Sequence, residues 1–216
     1  MHGALPPRVT EPNLIAFCDE SLRCRADGAG IYILAAVLLP SHRVQPTRDA
    51  MATLLLKGQR KLHWRDESAR RRRLLTRQTA SVEPEIVIAT WCRMDSAHQE
   101  RARSKAMQSL LAALADRGVT QTVFESRGTA RDNGDLRGLT GLRRAGVLSA
   151  DLRVEHAAGP AEHALWAADV AAGAFGAALD GSPEYWTAMV TGAKATVLTC
   201  GRCALSHGPD AARSTS

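Results

Sequence analysis

One acid stands inside an otherwise apolar segment of this chain. Asp169 is the only charged residue between Ala164 and Leu179. The segment is apolar on nearly every side, which predicts a buried helix. Burial of a bare carboxylate is costly, and aspartate is rarely buried unless it is paired. We therefore expect Asp169 to meet a cation, a metal ion or strong hydrogen-bond donors.

Two further acids end apolar runs that favour β-strands. Asp19 follows the run 14–18, and Glu125 ends the run 119–125. If the fold brings these acids to Asp169, the three carboxylates could bind Mg²⁺ or Mn²⁺, which prefer oxygen ligands. Two such ions roughly 4 Å apart activate water and stabilise the leaving oxygen in phosphodiester cleavage. The pattern predicts a metal-dependent, nuclease-like phosphodiesterase with Asp19, Glu125 and Asp169 as catalytic metal ligands.

Three other residues are weaker candidates for the same site. Glu20 follows Asp19, so in an extended strand its side chain points to the opposite face, and it is a second-choice ligand. Glu155 ends a short predicted strand and is a candidate fourth acid. His63 lies between basic segments and could contact the scissile phosphate or shuttle a proton, since its ordinary pKa is near neutrality. A surface histidine beside a packed tryptophan is the alternative interpretation.

Each acid also has a structural interpretation. Asp19 could cap a turn, as aspartate often does. Glu125 could be the solvated end of an edge strand, and Asp169 could pair with a buried arginine. A second function therefore stays open, in which the protein is a non-catalytic nucleic-acid-binding or regulatory module on the same fold.

Basic residues are unevenly distributed along the chain. The net charge is +6, and four consecutive arginines stand at 70–73. Clusters of this kind attract polyanions, above all nucleic acid, although solvated helix faces are the alternative. We predict that the DNA or RNA backbone is bound by Arg65, Arg70, Arg71, Arg72 and Arg73.

Length and hydropathy indicate a single-domain protein. A chain of 216 residues suits one domain with a sizeable core. We expect a flexible N-terminus over 1–13, one domain over 14–205 and a disordered tail over 206–216. The longest strongly apolar run, 31–39, is too short to span a bilayer, and the N-terminus lacks the apolar stretch of a secretion signal. We therefore expect a cytoplasmic protein with no membrane partner.

The order of predicted elements defines the fold class. Two strands come first, over 14–18 and 31–39, followed by a turn bracketed by Pro40 and Pro46. Helices over 47–56 and 67–79 then precede a third strand, after which helices and strands alternate. The segment 129–145 is polar and interrupted by glycine, which predicts a broken helix. This order predicts a mixed sheet with helices packed on its faces and a helical insertion between strands 2 and 3.

Four short motifs follow one another along the chain: Asp19-Glu20-Ser21, Leu62-His63, Phe124-Glu125-Ser126 and Trp166-Ala167-Ala168-Asp169-Val170-Ala171-Ala172. In this order they resemble the motifs of an uncharacterised bacterial family, the domain of unknown function number thirty-eight hundred, which is grouped with ribonuclease H-like folds. The resemblance covers about residues 14–179. It implies a ribonuclease H-like core with carboxylates on the first strand, a later strand and the final helix.

The chain departs from the pattern of that family at three points. Lys61 stands where the family usually has glutamate, and Trp166 stands where glutamine is usual. Glu155-His156 takes the place of the Asp-Ser pair before the last helix. These changes leave the three metal carboxylates in place and alter the residues expected to contact substrate.

Overall fold

The computed structural model describes residues 13–24, 30–94 and 98–200. The segments 1–12 and 206–216 lie outside the described residues, so their expected flexibility stays a prediction. The described part contains six strands: β1 (Leu14–Cys24), β2 (Gly30–Pro40), β3 (Glu85–Met94), β4 (Val119–Glu125), β5 (Arg153–Ala157) and β6 (Lys194–Cys200). It also contains six α-helices: α1 (Ser41–Ala52), α2 (Ala69–Ser81), α3 (Gln99–Ala115), α4 (Thr129–Arg144), α5 (Ala164–Leu179) and α6 (Glu184–Val190).

The strands form one mixed sheet in the order β5-β4-β1-β2-β3-β6. The β1–β2 and β2–β3 pairs are antiparallel. The β1–β4, β4–β5 and β3–β6 pairs are parallel. Helices α1 and α2 lie between β2 and β3 in the sequence, as predicted. The expected fold class, a mixed sheet with helices on its faces and a helical insertion between strands 2 and 3, is confirmed.

The sheet is buried on both faces, and the alternation of side chains along β2 shows how. Ile33 and Ala35 join the core that includes α1, α2, α5 and α6. Leu34 and Ala36 join the core under α3. Successive side chains of a strand point to opposite faces, so a strand with helices on both sides must be apolar throughout. This explains the unbroken apolar run that predicted β2.

Helix α5 is the central helix of the first of these two cores. Every residue from Ala164 to Ala177 is buried, Asp169 included, which confirms the predicted buried helix. The helix packs across β1 and β2 and against α2 and α6. Its small residues leave room for large neighbours, because a Cβ on Gly173 would overlap the ring of Trp64. This packing brings α5 to the face of β1 on which Asp19 lies.

Several predicted boundaries were wrong. The first helix begins at Ser41 and contains Pro46, which was expected in a turn. Helix α4 is continuous despite its glycines, because tertiary contacts hold it against α3 and β5. The sequence did not reveal α6 and β6, which are only seven residues long each. Among the helices of the described residues, none has the length and apolarity that a membrane span requires.

Candidate active site

Asp19 and Glu125 lie on the same face of neighbouring parallel strands. Phe17 and Val123 belong to the core under α5. Because side chains alternate along a strand, the residues two positions further on, Asp19 and Glu125, point to the same face. Glu125 ends β4 as predicted, whereas β1 continues beyond Asp19 to Cys24 and pairs with β2. The two carboxylates are therefore held by regular backbone rather than by loops.

The third acid, Asp169, is buried on α5 and has two partners. Its Oδ2 accepts a hydrogen bond from the backbone N–H of Trp64 at 2.6 Å. Its Oδ1 lies 3.0 Å from Nδ1 of His63. The side chain of Asp169 is 5% exposed, while that of His63 is 40% exposed. Strong donors therefore meet the buried carboxylate, as expected, and the donors are not from an arginine.

A cavity of about 320 Å³ brings the predicted residues together. Asp19, Glu125, Asp169 and His63 all line it. Its wall also carries basic side chains that were not assigned to the site from the sequence, and these are Arg23, Lys61 and Arg127. The cavity thus combines the three predicted carboxylates and that of Glu20 with one histidine and a set of cations.

Burial and like charge act together on Asp19. Its side chain is almost fully enclosed, and burial raises the pKa of this carboxyl well above its usual range. The charges of Asp169 and Glu125 raise the pKa further, whereas Lys61 and the N–H of Glu20 lower it. Carboxylates that share a site resist simultaneous ionisation unless a cation lies among them.

Lys61 provides such a cation. Its Nζ donates hydrogen bonds to both carboxylate oxygens of Glu125. Burial lowers the pKa of Lys61, but the hydrogen bond with Glu125 and the charges of Asp19, Glu125 and Asp169 raise it above its ordinary value. The ammonium group therefore stays charged inside the carboxylate cluster.

Gly159 packs against the carboxylate of Glu125 and is itself held by Trp166. A Cβ on Gly159 would lie only 2.7 Å from Oε1 of Glu125. The carbonyl of Gly159 accepts a hydrogen bond from Nε1 of Trp166 at 2.8 Å. Trp166 is fully buried on α5. Its hydrogen bond therefore fixes the loop that contains Gly159. Because glycine has no side chain, this loop leaves space for the carboxylate of Glu125.

The arrangement does not form a ready metal site. In the described parts of the chain, no group of three or more acidic, histidine or cysteine side chains is placed to hold a metal ion. Carboxylate oxygens suit Mg²⁺ or Mn²⁺ in chemical type. In this structure, however, Glu125 is bound to Lys61, and Asp169 is bound to His63 and Trp64, so an ion could reach all three carboxylates only if these contacts changed.

Glu20 points away from the three acids, as predicted from strand alternation. Its Oε2 accepts hydrogen bonds from Tyr32 and from Arg103. Arg103 is 2% exposed and also donates to Asp135 at 2.7 Å. Glu20 therefore belongs to a buried ionic network on the α3 side of the sheet, although part of it reaches the cavity wall.

Glu155 lies in β5, away from the cavity wall. It is the register partner of Val123, so it stands two residues back along the sheet from Glu125. Its Oε2 accepts a hydrogen bond from Gln121 at 3.2 Å at an exposed position. We leave Glu155 out of the site proposed below.

The predicted nucleic-acid-binding arginines divide into two groups. Arg65, Arg70 and Arg73 are exposed, and Arg65 also lines the cavity. Arg71 donates to Glu67 and to the carbonyl of Leu54. Arg72 donates to the carbonyl of Trp64 at 3.1 Å, and its guanidinium lies 5.1 Å from the centre of the Trp64 ring. Arg71 and Arg72 therefore hold α2 to its neighbours, one of which carries the tryptophan beside His63.

Sequence reasoning missed Arg23, Lys61 and Arg127 as residues of the cavity. Strand alternation could have indicated Arg23, which lies on the same face of β1 as Asp19. Arg127 could have been indicated by its position only two residues after Glu125. Within the described residues, the buried Nε atoms of Arg23 and Arg127 have no hydrogen-bond partner. Lys61 carried no local signal for its position, because its partner Glu125 is 64 residues away.

No protein-family model and no curated protein matches this sequence. The chain is similar to solved structures, one of which is a crystal structure of a mutant protein of Bst-RNase HIII. That likeness has a TM-score of 0.45 and 12% sequence identity, and it covers 75% of this chain and 51% of that chain. The chain thus spans about half the length of that structure. Membership of the family numbered thirty-eight hundred stays a prediction.

Proposed function

We propose that this protein is a phosphodiesterase that cleaves nucleic acid in the cavity lined by Asp19, Glu125 and Asp169. One observation carries the proposal: acids from β1, β4 and α5 line a single cavity together with His63 and several cations. Separate segments that deliver carboxylates to one pocket with perturbed pKa values are characteristic of catalytic sites.

In this proposal His63 exchanges a proton with the substrate or with water. Asp169 binds Nδ1 of the ring, which fixes the ring orientation and leaves the second ring nitrogen to react. The hydrogen bond with Asp169 raises the pKa of His63 above its ordinary value. A histidine held in place by a carboxylate is the commonest general acid or base in enzymes. Asp169 therefore acts on the reaction through His63.

Basic side chains of the cavity wall would bind the substrate phosphate. Arg23, Arg65 and Arg127 line the cavity, and exposed Arg70 and Arg73 extend this basic surface along α2. Phosphate contacts of this kind supply most of the affinity of non-specific nucleic-acid binding. We therefore propose the sugar-phosphate backbone of DNA or RNA as the group recognised.

A requirement for Mg²⁺ or Mn²⁺ stays a prediction from the sequence. The carboxylate oxygens of Asp19, Glu125 and Asp169 are the groups that would hold such an ion, and it would supply charge neutralisation at the phosphate. In the structure these carboxylates have protein partners instead. Cleavage assays with EDTA, Mg²⁺ and Mn²⁺ test the requirement directly.

The central test is the variant Asp169→Asn, assayed on single-stranded and double-stranded DNA and RNA. We expect cleavage to be lost while the fold is kept. The asparagine oxygen can still accept from the N–H of Trp64, and its amide can donate to Nδ1 of a neutral His63. Replacing a carboxylate also relieves repulsion with Asp19.

The matched control is Asp116→Asn, which changes an exposed acid after α3 and should leave cleavage unaffected. Cleavage that persists in purified Asp169→Asn protein would contradict the proposal. The ion pair between Lys61 and Glu125 supports a second candidate, the non-catalytic nucleic-acid-binding module. Salt-sensitive binding by the wild-type protein without cleavage under any metal condition would favour that candidate.

A further inference from the structure

The position of Lys61 among the carboxylates leads to an inference that rests on the proposed function and concerns the same cluster. Its Nζ donates to both oxygens of Glu125, and the side chains of the pair are 21% and 20% exposed. Asp19 and Asp169 line the same cavity and act on the same ammonium group. The ammonium group of Lys61 thus offsets part of the negative charge of the carboxylates.

Two other cations of the cavity wall, Arg23 and Arg127, pair with acids other than Glu125. Arg23 lies 3.5 Å from the carboxylate of Asp180. Arg127 donates to Glu100 at 2.7 Å. In the described part of the chain, Lys61 is the residue whose charge is bound directly to Glu125. Loss of the partner of a largely enclosed carboxylate is destabilising, so we expect removal of this ammonium group to lower the stability of the protein.

We propose that the ammonium group of Lys61 is a built-in cation that competes with divalent metal ions for the carboxylates of Asp19, Glu125 and Asp169. A metal ion reaches Glu125 only when Lys61 leaves it. The wild-type protein therefore keeps its folded cluster without metal, and it binds divalent ions weakly. Removal of the ammonium group creates a metal-binding site.

The test uses the variant Lys61→Met, which replaces lysine by an unbranched side chain one atom shorter and removes the charge. Calorimetric titration with Mn²⁺ should show affinity at least about tenfold higher than that of the wild type. Without metal, thermal melting of the variant should occur at a lower temperature than that of the wild type, and Mn²⁺ should restore it. EDTA should leave the melting temperature of the wild-type protein unchanged.

Three variants locate the effect. Lys61→Arg keeps a cation and should bind Mn²⁺ as weakly as the wild type. Lys57→Met removes an exposed lysine that does not line the cavity and should change neither affinity nor stability. Adding Glu125→Gln to Lys61→Met should abolish the gain in affinity, because it removes one of the carboxylates that would bind the metal ion.

Equal Mn²⁺ affinity in Lys61→Met and wild-type protein would overturn the proposal. If Lys61→Met does not fold by circular dichroism, Lys61→Gln replaces it, since the amide can still donate to Glu125 without charge. A wild-type protein that loses several degrees of melting temperature in EDTA would overturn the proposal on its own. These measurements use no nucleic acid, so they can succeed or fail independently of the cleavage assay.

Discussion

At the scale of single residues, Gly173 leaves the space in which Trp64, the residue after His63, packs against α5. Gly173 lies one helical turn beyond Asp169 on α5, opposite the ring of Trp64. Trp64 follows His63 and donates its backbone N–H to Asp169. It is 3% exposed and packs at right angles on Tyr185. The ring of Trp64 therefore has little freedom to move away from the helix.

We expect Gly173→Ala to destabilise the protein. A Cβ at this position would lie 2.1 Å from Cγ of Trp64, so the helix or the His63 segment must shift. Overpacking of a buried site of this kind costs about 1–3 kcal/mol. Urea unfolding followed by tryptophan fluorescence measures the loss in the free energy of unfolding. Cleavage should fall as well, because the shift separates His63 from Asp169.

The control is Gly138→Ala, a second glycine inside a helix. A Cβ on Gly138 meets no atom within 4 Å. Alanine is favoured over glycine in a helix by up to about 1 kcal/mol, so this variant should be neutral or more stable than the wild type. Similar effects of the two substitutions would contradict the packing argument.

At the scale of elements, α4 is held more by charge than by an apolar face. Of its residues only Leu139 is buried. Asp135 on α4 receives hydrogen bonds from Arg103 at 2.7 Å and pairs with His156 of β5 at 3.1 Å. Burial alone would raise the pKa of Asp135, but the hydrogen bonds from His156 and Arg103 hold it below its ordinary value. This ion pairing attaches α4 to α3 and β5.

We expect Asp135→Asn to lower the free energy of unfolding by about 3 kcal/mol at neutral pH, because it leaves buried Arg103 without one of its partners. A carboxyl whose pKa is lower in the folded state stabilises the protein at pH values above the ordinary pKa of aspartate, which is about 3.9. That contribution is lost as the pH falls through the folded-state pKa.

Urea unfolding of both proteins across a pH series measures this effect. The difference between wild type and Asp135→Asn should be constant near neutrality and should shrink below about pH 4. A difference that stays the same down to the acid unfolding of the wild type would show that charge is not what anchors α4.

At the scale of the whole molecule, the helices on the two faces of the sheet expose different pairs of basic side chains. The α2 side presents exposed Arg70 and Arg73, and α2 is joined to the cavity residue Trp64 by the hydrogen bond from Arg72. Helix α3 packs on the other face and presents exposed Arg101 and Lys105. If nucleic acid binds at the cavity, the first pair contacts phosphates and the second does not.

We therefore expect the double variant Arg70→Gln/Arg73→Gln to weaken binding and to reduce its salt dependence. On double-stranded DNA, the slope of log affinity against log salt should fall by about 0.9 for each phosphate that the protein no longer neutralises. Fluorescence anisotropy at several salt concentrations provides the slope. Arg101→Gln/Lys105→Gln carries the same charge change and should leave the slope near the wild-type value. Equal effects of the two double variants would indicate a general charge effect rather than a binding face.

Much of the fold followed from local pattern. The apolar run of β2, the apolar helix α5 and the order of strands and helices are properties of neighbouring residues, and they indicated a mixed sheet. The elements that went undetected, α6 and β6, are short, and β6 is only partly buried. A short, half-exposed strand has little apolar periodicity to reveal it.

The amino-acid sequence by itself determined that Asp169 is buried and needs a partner, and that Glu20 points away from Asp19. Only the tertiary structure decided which partners they have. Asp169 meets His63 from 106 residues away, Glu20 meets Arg103 from 83, and Glu125 meets Lys61 from 64. Alternation and burial are set by the local backbone and by hydrophobicity, whereas ion pairs depend on how distant segments pack. The chemistry of the cavity is therefore a property of the folded chain.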